Sequence, residues 1–171
     1  MRTKRPALLA AAAALACLCA GWDAPGADVR HVPDPYPTIQ SGINACQPGD
    51  TVLVDAGIYP ENVIFPPADV IVASRYLTTG DPAWIDQTQI HSAAPDLPVV
   101  LIPGGQTRAT LLSGFTITGG GGSQGSGVLC ADSSPTIAHN RITNNCPWLD
   151  GGGIRVDLGG PEIRDNRIDG N

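Results

Sequence analysis

Lysine occurs once, at Lys4, and aromatic side chains make up only 5% of the 171 residues. Charged residues are scarce too, at 15%. Each shortage excludes something. With its one lysine in an N-terminal basic cluster, the rest of the chain has none for Schiff-base chemistry or for a lysine general base. No two of the five cysteines stand in a C-x-x-C spacing, which argues against a zinc or redox site. The net charge of −6 supplies no electrostatic footprint for nucleic acid or for an anionic membrane surface. The one long apolar run, residues 7–21, is 15 residues, short of the roughly 20 that a spanning helix needs.

That run follows Arg2, Lys4 and Arg5, and a basic start before a short apolar stretch is the pattern of a secretory signal peptide. Residues 1–27 are therefore expected to be a signal peptide with a short linker, with cleavage after Ala16, Ala20 or Gly21. Ala14–Cys17 is also compatible with a poor lipobox, which would make the product a lipoprotein. The remainder is expected outside the cell, secreted or on its surface, with no membrane span. It keeps seven arginines against 15 carboxylates, a net charge of −8, and three cysteines, Cys46, Cys130 and Cys146.

What is abundant is glycine and proline, 21 and 16 residues, about 22% together against an average near 12%. They punctuate an internal repeat. Residues 125–145 align without a gap on residues 151–171, and eight of the 21 positions are identical, among them Pro135, Ile137, Asn140, Arg141, Ile142 and Asn145. A fainter copy sets Leu112–Gly120 over Ile137–Asn145 at an offset of 25. Periods of this length signal a repeat architecture. Inside the unit, apolar residues occur in short alternating stretches with no amphipathic helix between them, so each unit reads as three short strands and three turns. That is one coil of a right-handed parallel β-helix. Stacked coils would put Val128 on Ile154, Cys130 on Val156, Ile137 on Ile163 and Ile142 on Ile168. Asn140 over Asn166 would form an asparagine ladder, each amide bonding its neighbour and turn backbone.

Upstream, short β-branched runs at 51–54, 62–65, 70–73, 88–91, 99–102 and 110–112 continue the pattern less regularly. The fold class is thus all-β, a single-stranded right-handed solenoid of about five coils across residues 51–171. Residues 28–50 carry the one predicted helix, with Thr38 as N-cap, an apolar face of Ile39, Gly42, Ile43 and Cys46, and Pro48-Gly49 as stop. A solenoid exposes raw strand edges at its ends, so this helix is expected to cap the first coil, with Cys46 a buried small hydrophobe. At the other end the repeat stops partway through a coil. The expectation is a truncated product, or a last coil that pairs edge to edge with another chain.

The segment Tyr36-Pro-Thr-Ile-Gln-Ser-Gly-Ile-Asn-Ala-Cys-Gln-Pro-Gly-Asp-Thr-Val-Leu-Val-Asp-Ala-Gly-Ile-Tyr-Pro-Glu-Asn-Val63 resembles the start of pectin-lyase-like right-handed β-helix proteins. Gly114–Gly120 and the units from Ser134 to Asn145 resemble the parallel β-helix repeat of that superfamily, so the likeness runs over residues 36–171. It implies the fold. For activity it implies a range, from polysaccharide lyases and pectin methylesterases to adhesins, and fold does not select among them.

The lyase-like pattern would need calcium on stacked carboxylates. Asp157, Glu162, Asp165 and Asp169 meet Ala131, Thr136, His139 and Thr143 one repeat earlier, so no carboxylate pair stacks, and no metal or cofactor is expected. His31, His91 and His139 are scattered. Arginine makes the clearer pattern: Arg141 and Arg167 share a repeat position, and Arg155 and Arg164 lie on the coil of Arg167. Their forks would suit a sugar carboxylate, or equally Asp165 and Asp169 as salt-bridge partners. Trp148, in the turn after Cys146, is an aromatic that could stack on a sugar ring. Arg141, Arg155, Arg167 and Trp148 are therefore the candidate substrate-binding residues, with an acidic polysaccharide or cell-surface glycan as partner. No catalytic residue can be named. The reading leans to a non-catalytic, secreted or surface scaffold with adhesion as one role. The alternatives are the N-terminal part of a carbohydrate-active enzyme and a polysaccharide-binding module.

Overall fold

A computed structural model describes residues 27–122, 126–147 and 151–171. The segment expected to be a signal peptide and linker, apart from its last residue, and Trp148 lie outside them. The described chain winds through three parallel sheets. Sheet A collects β1 (Val29–Val32), β2 (Thr51–Val54), β5 (Ile71–Ser74), β8 (Leu111–Ser113), β12 (Thr136–Ala138) and β16 (Glu162–Arg164). Sheet B stacks β3 (Gly57–Pro60), β6 (Thr88–His91), β9 (Thr116–Thr118), β13 (Arg141–Thr143) and β17 (Arg167–Asp169). Sheet C stacks β4 (Val63–Ile64), β7 (Val100–Ile102), β11 (Val128–Ala131) and β15 (Ile154–Asp157). From β2 onward the chain visits A, B and C in turn, so each circuit is one coil of a parallel β-solenoid.

The 26-residue register is as expected. Val128 pairs with Ile154 and Cys130 with Val156; Ile137 pairs with Ile163 and Ile142 with Ile168. Aliphatic chains at these positions point inward, and Val128, Cys130, Ile137 and Ile142 have no exposed surface. Three corners make the circuit close. Each uses a left-handed residue at the same place in successive coils: Gly114, His139 and Asp165 between sheets A and B, then Gly119, Asn144 and Gly170 after sheet B. Asp132 and Leu158 serve the corner from C to A. His139 is therefore a corner residue.

Two asparagine ladders lock these corners. Asn140 Nδ2 donates to Leu112 O and Asn166 Oδ1, and its own Oδ1 accepts from Phe115 N–H. Asn145 repeats the scheme on Ile117 O, Asn171 Oδ1 and Gly120 N–H. The second ladder, Asn145 over Asn171, stands at another pair of identical positions of the repeat.

The helix lies at Ile39–Asn44 (α1), with Thr38 closing a capping box with Ser41. Ile39 and Ile43 are buried in the core beside Val32 and Val52. Cys46 departs from expectation: it is half-buried, its Sγ donating to Gly42 O. A second departure is larger. Residues 76–87 form two further short helices, α2 (Tyr76–Thr79) and α3 (Ala83–Gln87), inserted between β5 and β6. Their four and five residues are too short for a helical period to show. Part of the glycine-rich stretch after Gly119 is strand. Gly121–Gly122 (β10) pairs with Cys146–Pro147 (β14) as a two-stranded strip. Cys130 and Cys146 are both free, the first buried and the second exposed.

Candidate functional site

The α2–α3 insertion overhangs the outer face of sheet B. The Thr116 hydroxyl donates to Ile85 O and holds α3 down. Between the overhang and the corners of the last two coils lies a cleft of about 340 Å³, with Tyr76, Ile85 and Asp86 above and His139, Arg141 and Arg167 below.

Arg141 and Arg167 are direct partners across β13 and β17, so two guanidinium groups project one coil apart on the same outward row. Like charges in that arrangement repel unless each finds an anion. Each has one. Arg141 Nη1 lies 3.2 Å from Asp86 Oδ1, reaching up to the overhang, and Arg167 Nε lies 2.6 Å from Asp169 Oδ2 on its own strand. Arg167's hydrogen bond holds the Asp169 carboxyl below its ordinary range. The Nε of Arg141 is buried without a partner. Arg164 spans Glu162 and Asp165, at 3.2 and 3.1 Å. The imidazole of His139 packs against the Tyr76 ring at a centroid distance of 5.0 Å and faces Arg164 and Asp165.

The structure thus brings together two of the sequence-derived candidates, Arg141 and Arg167, and separates a third. Arg155 is on β15 in sheet C, where it pairs with Asp157 at 2.9 Å. It shares a coil with Arg167 but not a face. Trp148 falls outside the described residues. Tyr76 and Asp86 escaped the sequence reading because the insertion that carries them belongs to no repeat. The Pro82 and Gly80 breaks around a tyrosine and a tryptophan were the only signal.

A larger hollow of about 610 Å³ lies between α1 and β4. Its chemistry is poorer. Gln40 spends its amide on Asn44 Oδ1 and Ile64 O, and the single ionisable group, the Cys46 thiol, is pushed up to about 11 by burial. Among the described residues no group of three or more His, Cys, Asp or Glu is placed to hold a metal ion. No helix among them is long and apolar enough to cross a membrane. Comparison with protein-family models, curated proteins and solved structures found no match.

Proposed function

We propose that the chain is an exported, non-catalytic scaffold: a right-handed parallel β-helix of the pectin-lyase-like kind, closed at its N-terminal end by α1 and working by display and adhesion. The observation that carries this reading is the pairing of the arginines. Arg141, Arg155 and Arg167, the groups best suited to grip an acidic sugar, are each already held by a carboxylate of the protein. Such pairs brace a wall of stacked strands, and an acidic ligand would have to displace them. The right hand of the coil rests on the strong preference of parallel strand connections for that sense. The lid role of α1 rests on its buried Ile39 and Ile43. Export rests on the basic and apolar start of the sequence.

One observation favours a second reading, a polysaccharide-binding module: the Tyr76 and His139 rings lie in the same cleft as Arg141 and Arg167. Retention on immobilised polygalacturonate at low salt separates the two. As a scaffold, the wild-type protein and the Arg141→Ala/Arg155→Ala/Arg167→Ala variant elute together. Retention of the wild type that the triple variant loses would overturn the scaffold reading in favour of the module. Release of an unsaturated uronate or of methanol from pectin would overturn both in favour of an enzyme. N-terminal sequencing of the secreted protein tests export, with a start between residues 17 and 28 expected.

A further inference from the structure

We propose that the outward row Gln89–Thr116–Arg141 of sheet B is a docking surface for an acidic peptide segment of a partner protein, and that α3 now occupies it as a self-inhibitory strap. The three residues are direct neighbours on successive strands, Gln89 beside Thr116 and Thr116 beside Arg141. Each step up the wall is about 4.8 Å. All three side chains donate, and they donate to the same two residues of α3. Gln89 Nε2 gives a hydrogen bond to Asp86 O at 3.0 Å, the Thr116 hydroxyl to Ile85 O at 2.8 Å, and Arg141 Nη1 to Asp86 Oδ1 at 3.2 Å. A column of donors reads acceptors at fixed spacing. What fills it is polypeptide: two successive backbone carbonyls and one carboxylate.

Three observations make α3 a stand-in rather than a fixed part of the wall. No side chain of α2 or α3 is buried. An insertion without buried apolar contacts sits at the low-stability end of a fold and opens before the wall does. Beyond the row, its hold on the cleft is the Tyr76 ring against His139. Second, the solenoid closes without such an insertion: later coils pass from sheet A to sheet B through two residues, Gly114-Phe115 and then His139-Asn140. Third, the contact with Arg141 is incomplete. Asp86 engages Nη1, and Nε is left buried without a partner. A carboxylate approaching the guanidinium edge-on takes Nε and an Nη together, the two-point geometry that makes Arg–carboxylate pairs strong. The acid of an incoming Asp or Glu therefore has a better bond to make with Arg141 than the strap makes. This gives the adhesion proposed above a surface, and rests on that reading for its purpose.

The test uses a blocked peptide of the sequence of residues 83–87, Ala-Trp-Ile-Asp-Gln, at millimolar concentration against the isotope-labelled protein. The readouts are the NMR signals of the Arg141 Nε–H and the Thr116 N–H. In the wild type the tethered strap competes and the shifts are small. Asp86→Asn changes a side chain that is two-thirds exposed, so the fold is kept while the strap loses its ion pair. That variant should bind the peptide about two- to fivefold more tightly than the wild type, the worth of one exposed ion pair. Adding Arg141→Gln, or giving the peptide Asn in place of Asp, should remove the gain. The rest of each spectrum reports that the protein is folded. Signals that do not move in Asp86→Asn would overturn the proposal. So would equal binding by wild type and variant, since the strap would then guard nothing, or equal binding of the two peptides, since no acid would be read. Polygalacturonate that shifts the Arg141 signal where the peptide does not would overturn it as well and give the row to a sugar. Retention of the wild type on the polygalacturonate column tests the scaffold reading instead, so the two fail separately.

Discussion

The two halves of the solenoid reach the same core by different routes. Along sheet B, Tyr59, Ile90, Ile117, Ile142 and Ile168 form one inward column. The last two steps take 25 and 26 residues, the first two 31 and 27. Along sheet A the contrast is sharper: from Val52 to Val72 is 20 residues and from Val72 to Leu112 is 40, before the column settles at 25 and 26 through Ile137 and Ile163. Stacking thus fixes which residues face inward, while the corners fix how much chain is spent between them. In the second half every corner is the same device, a left-handed residue followed where needed by an asparagine. In the first half each corner is solved differently, by α1, by the α2–α3 insertion, or by single brackets such as Asn62.

Removing a bracket from each half is the strongest way to break that contrast. Asn145 is fully buried, and its amide serves Gly120 N–H, Ile117 O and Thr143 O. Asn145→Ala leaves those backbone groups inside the protein without partners and should cost about 4 kcal/mol, at about 1–3 kcal/mol for each buried group. Asn62 makes a similar set, accepting from Ala93 and Ala94 N–H and donating to Pro98 O, but it is only half-buried and water can replace it. Asn62→Ala should therefore cost nearer 2 kcal/mol, the low end of the same scale. Urea unfolding of both variants decides. Equal losses would mean that the two halves are braced alike.

The core column offers the next test. Ile142→Ala empties a fully buried site between two neighbouring coils and should cost about 3 kcal/mol in the same urea assay. Ile168→Ala, one coil further along, removes a side chain that is half exposed in the described chain and should cost under about 1 kcal/mol. A large loss at Ile168 would show that this side chain is covered in solution.

How much of this the sequence could tell follows from the same contrast. Where successive corners share chemistry, identity at Pro135, Ile137, Asn140 and Ile142 reported the register residue by residue. The column in the first half is just as complete, yet insertions of unequal length erase the period, so Val29–Val32 and Gly57–Pro60 passed unrecognised as strands. The cleft was half legible for a related reason. Arg141 and Arg167 stand in the repeat, but Tyr76 and Asp86 come from the insertion and only the fold brings them near. Arg155 shares the coil of Arg167, as the repeat implies, but sharing a coil does not mean sharing a face. Repeat spacing reports the coil, and the strand's place within the coil reports the sheet.

Glycine corners sharpen the comparison at smaller scale. Gly114 is left-handed, and a Cβ there would collide with the Ser74 hydroxyl of the preceding coil. Gly80, which ends α2, is left-handed as well but faces open space. Gly114→Ala should cost about 2 kcal/mol or more, strain and collision together, and Gly80→Ala only about 1 kcal/mol from backbone strain alone. Thermal melting of the pair separates packing at a coil corner from conformational preference at an inserted helix.

The smallest effect is electrostatic, and it contrasts the two ends by mechanism. Asp50 has its pKa lowered from the ordinary 3.8, chiefly by the backbone N–H of Gln47 and then that of Asp28, with Arg30 adding attraction at 3.0 Å. Asp169 is lowered first by the hydrogen bond from Arg167. In both, the folded state favours the ionised carboxylate. Their stabilisation is therefore complete above the unfolded value near 3.8 and is lost as pH falls below it through the folded value. Added salt distinguishes them. Salt screens an exposed ion pair strongly and a hydrogen bond from a fixed backbone N–H hardly at all. At high salt, carboxyl NMR titration should move the Asp169 midpoint upward toward 3.8 while Asp50 keeps its depression. If instead both midpoints rise together, the loop at Asp50 is held by Arg30 rather than by its own backbone, and the N-terminal corner is no better built than the exposed surface of the last coil.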